Sequence, residues 1–207
     1  MKVAIVNYGM GNLASVRRAF EDIGAEAFIA DHPTTLYDAN RIVLPGVGAF
    51  SQGMQSLQAS GWVEALRDVV TRQGKPLLGI CLGMQMLATR GEEGGGARGL
   101  DLVPGVVRHL GELGCTLRLP HVGWNEVSFR GADPFLGNIP DGSDFYFVHS
   151  YALVTESSEH VLATSPYGCD LTAVVRRGNV FGCQFHPEKS SKAGRQLLRN
   201  FMSHVPC

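Results

Sequence analysis

Long apolar runs are missing from this chain. No stretch approaches the roughly 18 residues that a membrane-spanning helix requires, and the run at residues 3–6 breaks at Asn7, too short for the apolar core of a secretory signal. A soluble, cytoplasmic protein is expected. C-x-x-C pairs are missing too: the five cysteines Cys81, Cys115, Cys169, Cys183 and Cys207 are an odd, widely spaced set. That suits a reducing compartment better than a disulfide framework. Charge of one sign is not in excess, with 18 Lys and Arg against 19 Asp and Glu scattered along the chain. Without a basic footprint for a phosphate backbone, nucleic acid is not an expected partner. Paired metal-ligand spacing is also lacking, because His121, His149 and His186 lie far apart in sequence, so neither a metal nor another cofactor is expected.

What is present is enough apolar residue for one core. At 207 residues and 44% hydrophobic, with no internal repeat and no linker, the chain reads as one domain over 1–207. The first half alternates short apolar runs at residues 3–6, 27–30, 42–44 and 77–80 with amphipathic stretches. Leu13, Val16, Phe20 and Ile23 recur at helical spacing, as do Trp62, Ala65, Leu66, Val69 and Val70. Strands apolar on both faces and separated by helices predict a mostly parallel sheet flanked by helices. The second half has short β-rich runs at 103–107, 145–148, 161–163, 173–175 and 180–183, some of them predicted to form an antiparallel β extension of this single α/β domain. Ala193, Leu197, Leu198 and Phe201 predict a last helix. The glycine-rich stretch 90–99 reads as a mobile surface loop, and neither it nor residues 111–119 carries a recognisable motif.

One segment carries nucleophile chemistry. Gly79-Ile80-Cys81-Leu82-Gly83 sits between a predicted strand and a predicted helix over 82–88, the G-x-nucleophile-x-G elbow with cysteine in place of serine. Such a turn lifts the side chain out of the sheet, and its glycines let the backbone crowd where a Cβ would clash. The helix start aims free N–H groups and a positive dipole end at the sulfur, with the N–H of Leu82 as one oxyanion donor. The alternative is a structural cysteine beside two packing glycines. A thiol nucleophile needs a proton acceptor that later protonates the leaving group, and among seven histidines His186, in Gln184-Phe185-His186-Pro187-Glu188, is best placed. Pro187 favours an extended His186, and in an extended segment Glu188 projects to the same side and can fix the imidazole tautomer. The order Cys, His, Glu differs from the Ser, Asp, His order of α/β-hydrolases.

Gly9-Met10-Gly11-Asn12-Leu13-Ala14, with Asp31 beyond it, also fits the spacing of a dinucleotide-binding fingerprint. A nucleotide-binding module without cysteine chemistry is therefore an alternative, although it leaves the elbow and His-Pro-Glu without a purpose.

Together the motifs resemble the class I, triad-type glutamine amidotransferases, and more narrowly their histidine-pathway branch. The resemblance runs along almost the whole chain, through Asn7-Tyr8-Gly9-Met10-Gly11-Asn12, Pro45-Gly46-Val47-Gly48-Ala49-Phe50, the elbow with Met84-Gln85, Pro120-His121-Val122-Gly123-Trp124-Asn125, Phe147-Val148-His149-Ser150-Tyr151 and residues 184–190. It implies a Cys81, His186, Glu188 triad that releases ammonia from glutamine through a γ-glutamyl thioester. It further implies a second oxyanion donor from the loop of Gly46, Val47 and Gly48, with glutamine held by Gly46, Gln85, Ser150 and Tyr151. The implied partner is a (β/α)8-barrel cyclase/synthase subunit, bound as a heterodimer, through which ammonia reaches a ribonucleotide. Trp124 is expected as an interface anchor, its alternative being a core tryptophan, while Asn12, Tyr146 and Lys189 match positions that face the partner or gate the ammonia exit. The 46–48 loop is expected to be misaligned until the partner sets it. The glutaminase subunit of pyridoxal phosphate synthase, peptidase-like relatives and a non-enzymatic interaction domain are the other readings within this fold.

Overall fold

The computed structural model describes residues 1–203; Cys207 lies outside them. The chain runs through strand β1 (Lys2–Val6), helix α1 (Leu13–Glu21), β2 (Glu26–Ala30), β3 (Arg41–Gly46), α2 (Phe50–Ala59), α3 (Trp62–Arg67), β4 (Leu77–Cys81) and α4 (Leu82–Met86). It continues through β5 (Arg90–Gly91), β6 (Ala97–Arg98), β7 (Gly105–His109), β8 (His121–Phe129), β9 (Ser143–His149), β10 (Tyr151–Thr155), β11 (Val161–Pro166), β12 (Asp170–Arg177), β13 (Val180–Cys183) and α5 (Ser191–Ser203).

Nine strands form one sheet in the order β2-β1-β3-β4-β13-β12-β11-β8-β9. The first five are mutually parallel and the remaining pairs antiparallel, as the division between the two halves of the sequence predicted. The central strands are apolar throughout because both faces are covered. Successive residues of β1 alternate between two cores. Val3 and Ile5 pack with Phe20 of α1 and Leu197 and Phe201 of α5, whereas Ala4 and Val6 pack with Phe50 and Leu57 of α2, Trp62 of α3 and Met84 of α4. Period-two projection from a strand is thus what divides the helices between the two faces. No helix among the described residues is long and apolar enough to cross a membrane.

Four details depart from expectation. Residues 90–99 are built into a second, four-stranded sheet of order β10-β7-β5-β6 instead of forming a free loop, with Arg90 paired to Arg98 and Gly91 to Ala97. Gly91 is packed so closely on the Phe50 ring that a Cβ would not fit, which explains a glycine inside this segment. Strand β8 was not expected, because exposed and half-buried positions outnumber buried ones along it and hide its alternation. Helix α4 ends at Met86, short of residue 88, since the chain turns there toward β5. Residues 50–59 form α2, which no sequence signal marked; its N-cap is Ala49, without a side-chain hydrogen bond, so the usual start signal is absent.

Candidate active site

Cys81 is the last residue of β4 and the N-cap of α4, with φ 54° and ψ −112°. Few non-glycine residues adopt such a backbone, and the surrounding structure must hold it there. The flanking glycines make that geometry possible. A Cβ on Gly79 would lie 2.7 Å from the carbonyl oxygen of Gly83, and one on Gly83 would overlap the Leu44 carbonyl of β3. The Leu82 N–H stands in the first turn of α4, without an intrahelical acceptor.

His186 follows β13, and its backbone is tied to β9. Its N–H donates to the Tyr146 carbonyl at 2.9 Å; Ser190 Oγ donates to the His186 carbonyl at 2.6 Å and accepts from Tyr146 N–H at 3.0 Å. Residues 187–189 form a 3-10 turn, not the extended segment that Pro187 suggested, and only His186 itself is extended. The turn still delivers Glu188 Oε1 to 2.7 Å from His186 Nδ1, with both side chains almost wholly buried. Nδ1 therefore carries a hydrogen donated to the carboxylate, which leaves Nε2 turned to the Cys81 sulfur as its proton-sharing partner. Burial by itself would lower the imidazole pKa; Cys81 and Glu188 outweigh it and push the value up to about 9. The Cys81 thiol also points at the Val148 carbonyl, 3.8 Å away.

A cavity of about 440 Å³ opens over the sulfur, walled by Cys81, Leu82 and Gln85 on one side, Val47 and Gly48 on another, and Ser150 and Tyr151 opposite. Gly48 has φ +108° and Val47 is 43% exposed, so the loop is open to solvent at the cavity mouth. Gly46 is placed differently from the expectation: it does not line the cavity but is squeezed between the Tyr8 hydroxyl and Leu82, where no side chain would fit. Gln85 donates to the Tyr151 carbonyl at 2.8 Å and to Gln184 Oε1 at 3.1 Å. Both its amide hydrogens are used, which leaves Oε1 as its acceptor for a ligand.

Two polar groups near the nucleophile escaped sequence reasoning. Glu93, from the glycine-rich segment, lines the cavity while its Oε2 accepts from Phe50 N–H at 2.8 Å and so supplies the cap that Ala49 does not. Gln184, fully buried, places its Nε2 3.8 Å from Cys81 Sγ; its position two residues before His186 was the only hint. The Tyr8 hydroxyl is buried without a hydrogen-bond partner among the described residues, and burial followed by the nearby Cys81 raises its pKa.

The four expected interface positions lie outside this cavity. Trp124, 55% exposed, is not a core residue. It meets Tyr146 edge to face at 6.1 Å, and Lys189 Nζ sits 5.6 Å over the Tyr146 ring. Asn12 caps α1, accepting from Ser15 N–H at 3.3 Å. A larger hollow of about 810 Å³ beside Trp124 has no cysteine or histidine among its lining residues. The dinucleotide fingerprint occupies its expected strand-to-helix junction, but Pro45 packs against Gly11 and Asp31 accepts from Asn7 Nδ2 at 2.7 Å, so these residues bind one another.

An elbow cysteine at a cavity, a buried histidine paired with a carboxylate beside it and an exposed glycine loop form an arrangement suited to thiol-based acyl transfer. The chain belongs to the class I glutamine amidotransferase family, whose model matches residues 4–205. It is 48% identical to imidazole glycerol phosphate synthase subunit HisH of Moorella thermoacetica over 96% of this chain and 93% of that one, and 45% identical to the Syntrophotalea carbinolica protein of that name over 96% and 98%. Among solved structures, a glutamine amidotransferase superimposes with TM-score 0.75 at 21% identity, covering 96% of each chain. PurLQS from Thermotoga maritima does so with TM-score 0.74 at 20% identity and 97% coverage of each.

Proposed function

We propose that residues 1–207 form one cytoplasmic domain, the glutaminase subunit of an imidazole glycerol phosphate synthase, with Cys81, His186 and Glu188 as its triad. Cys81 sulfur attacks the glutamine carboxamide carbon. His186 Nε2, whose pKa of about 9 lets it keep the proton taken from the thiol at neutral pH, gives that proton to the departing ammonia, leaving a γ-glutamyl thioester on Cys81. Water activated by the same nitrogen then releases glutamate and regenerates the thiol. Glu188 fixes the ring orientation that keeps Nε2 turned to the sulfur. The single observation carrying this reading is the 2.7 Å bond from His186 Nδ1 to Glu188, which leaves the other ring nitrogen for the sulfur.

The developing oxyanion is taken by the N–H of Leu82 and by the loop peptide at Val47 and Gly48. Gln85 Oε1 and the backbone of Ser150 and Tyr151 hold the substrate's α-amino acid end. Glu93, whose carboxylate reaches this cavity, is the counter-charge for its ammonium. Gly46 acts by permitting the close approach of Tyr8 and Leu82 and makes no substrate contact. Trp124, Tyr146, Lys189 and Asn12 meet the partner, a (β/α)8-barrel cyclase/synthase subunit that receives ammonia. The exposed Trp124 and Tyr146 pair suits an aromatic anchor, and partner binding sets the 47–48 peptide.

Co-purification with the barrel subunit of a histidine-producing bacterium, followed by glutamate release with and without the barrel's ribonucleotide ligand, tests the whole reading. Glutamine turnover that rises when the barrel is occupied is expected. Turnover equally fast in the isolated chain would remove the partner switch, and a complex unable to make imidazole glycerol phosphate from glutamine would remove the assignment.

A further inference from the structure

A line of buried polar groups, of which Gln85, His149 and Tyr151 line the cavity, runs from the nucleophile to β8. Gln184 reaches Cys81 Sγ and accepts from Gln85, and Gln85 donates to the Tyr151 carbonyl. That carbonyl accepts a second hydrogen bond, 2.9 Å long, from His149 Nδ1. His149 Nε2 lies 3.0 Å from His121 Nδ1, and His121 Nε2 lies 3.2 Å from Asn125 Nδ2, which also donates to the Pro166 carbonyl at 2.7 Å. The His121 ring is sandwiched between Tyr167 and Phe147, with centroids 3.9 and 4.8 Å away and planes 19° apart in both cases.

The direction of this chain is forced. A carbonyl oxygen only accepts, so His149 carries its hydrogen on Nδ1 and presents a lone pair at Nε2. His121 must then donate from Nδ1, and its own Nε2 accepts from the Asn125 amide. Both rings are required to be neutral Nδ1–H tautomers. Burial, the largest influence on each, pulls both pKa values down to about 4 and keeps them neutral at pH 7. His121 and His149 are also direct cross-strand partners in the β8–β9 ladder, and His121 stands three residues before the exposed Trp124. The pair therefore joins the strand that bears the exposed anchor to the carbonyl at the far end of the cavity.

We propose that His121 and His149 are positioning residues: a tautomer-locked pair that holds the Tyr151 carbonyl, and with it the 150–151 backbone, in the register that receives the α-amino acid end of the substrate. The inference rests on the glutaminase reading for its substrate, but not for its geometry. Two measurements test these separately.

Nitrogen-15 NMR of histidine-labelled full-length chain at pH 7 reads the tautomers directly, whatever the chain catalyses. Two neutral Nδ1–H rings are expected for positions 121 and 149, assigned by single substitutions. An Nε2–H tautomer or an imidazolium at either position overturns the pair. In the complex with the barrel subunit, His149→Ala should raise the glutamine KM roughly 10-fold while kcat changes less than about 3-fold, the pattern of lost uniform substrate binding. His149→Asn, which keeps a donor near Nδ1, should recover most of the loss. A wild-type KM in the alanine variant, or asparagine as impaired as alanine, overturns the positioning role. Should the alanine variant fail to fold, the wild-type tautomers and the asparagine variant still decide. A wild-type complex that released no glutamate would sink the glutaminase reading instead and leave the tautomer result standing.

Discussion

Strands β4 and β13 run side by side in parallel, with Cys183 opposite Ile80, and each ends in a cysteine whose surroundings oppose those of the other. Cys183 is completely buried, and its thiol donates to the Gly79 carbonyl at 3.8 Å. Burial first, then the charges of Glu188 and Cys81, push its pKa well above the ordinary thiol value. Cys81 lies one position beyond the Ile80–Cys183 register, on a left-handed turn at the helix start, facing the cavity and the His186 imidazole. The residue type is identical and the distance between the sites small, so reactivity comes from what lies above the sulfur, not from the sulfur itself.

The sharpest way to break this comparison is to remove each thiol in turn. Cys81→Ala should lower glutamine hydrolysis by the barrel complex by roughly 10⁴-fold or more, whereas Cys183→Ala should keep turnover within a few-fold and cost about 1–2 kcal/mol of stability. Equal losses of activity from the two would erase the distinction.

A smaller effect should come from the group that steers the base. Glu188→Gln keeps the shape but loses the charge and the enforced tautomer, and should cost about 10²–10⁴-fold in kcat. It also predicts a pH dependence of stability. The His186 pKa is raised in the fold from 6.5 to about 9, so the folded chain holds a proton that the unfolded chain releases above pH 6.5. The contribution is fully present below pH 6.5 and is lost as pH rises through about 9. Urea denaturation should show the advantage of the parent over Glu188→Gln shrinking across that window by about 1–3 kcal/mol; an advantage that grew with pH would contradict the pairing.

The smallest effect is expected at Tyr8, beside the cysteine but outside the cavity lining. Because its buried hydroxyl has no hydrogen-bond partner among the described residues, Tyr8→Phe should leave stability within about 1 kcal/mol of the parent or raise it, with glutamate release unchanged within a few-fold. A large fall in kcat at unchanged stability would move that hydroxyl into the chemistry.

The parallel half of the fold was legible because each central strand is buried on both faces and reads as an unbroken apolar run. Strand β8 was not, since Val122, Gly123, Trp124, Asn125 and Glu126 alternate against a surface that is largely open to solvent. The elbow could be seen because two glycines must flank its cysteine, and His186 and Glu188 because a single residue, Pro187, separates them. Glu93 and the His121–His149 pair could not. Glu93 reaches the cavity through a glycine-rich segment whose pairing with β7 depends on distant residues, and residues 121 and 149 face each other only once β8 and β9 pair.

By itself, the sequence determined the parallel α/β framework, the strained nucleophile turn and the neighbouring base with its carboxylate, because each depends on interactions among residues close along the chain. Only the tertiary structure decided which of two adjacent cysteines opens to a cavity, which carboxylate reaches its far end, and how two distant histidines share one proton direction. Those properties depend on strand order and register, which arise when residues far apart in sequence are buried against one another.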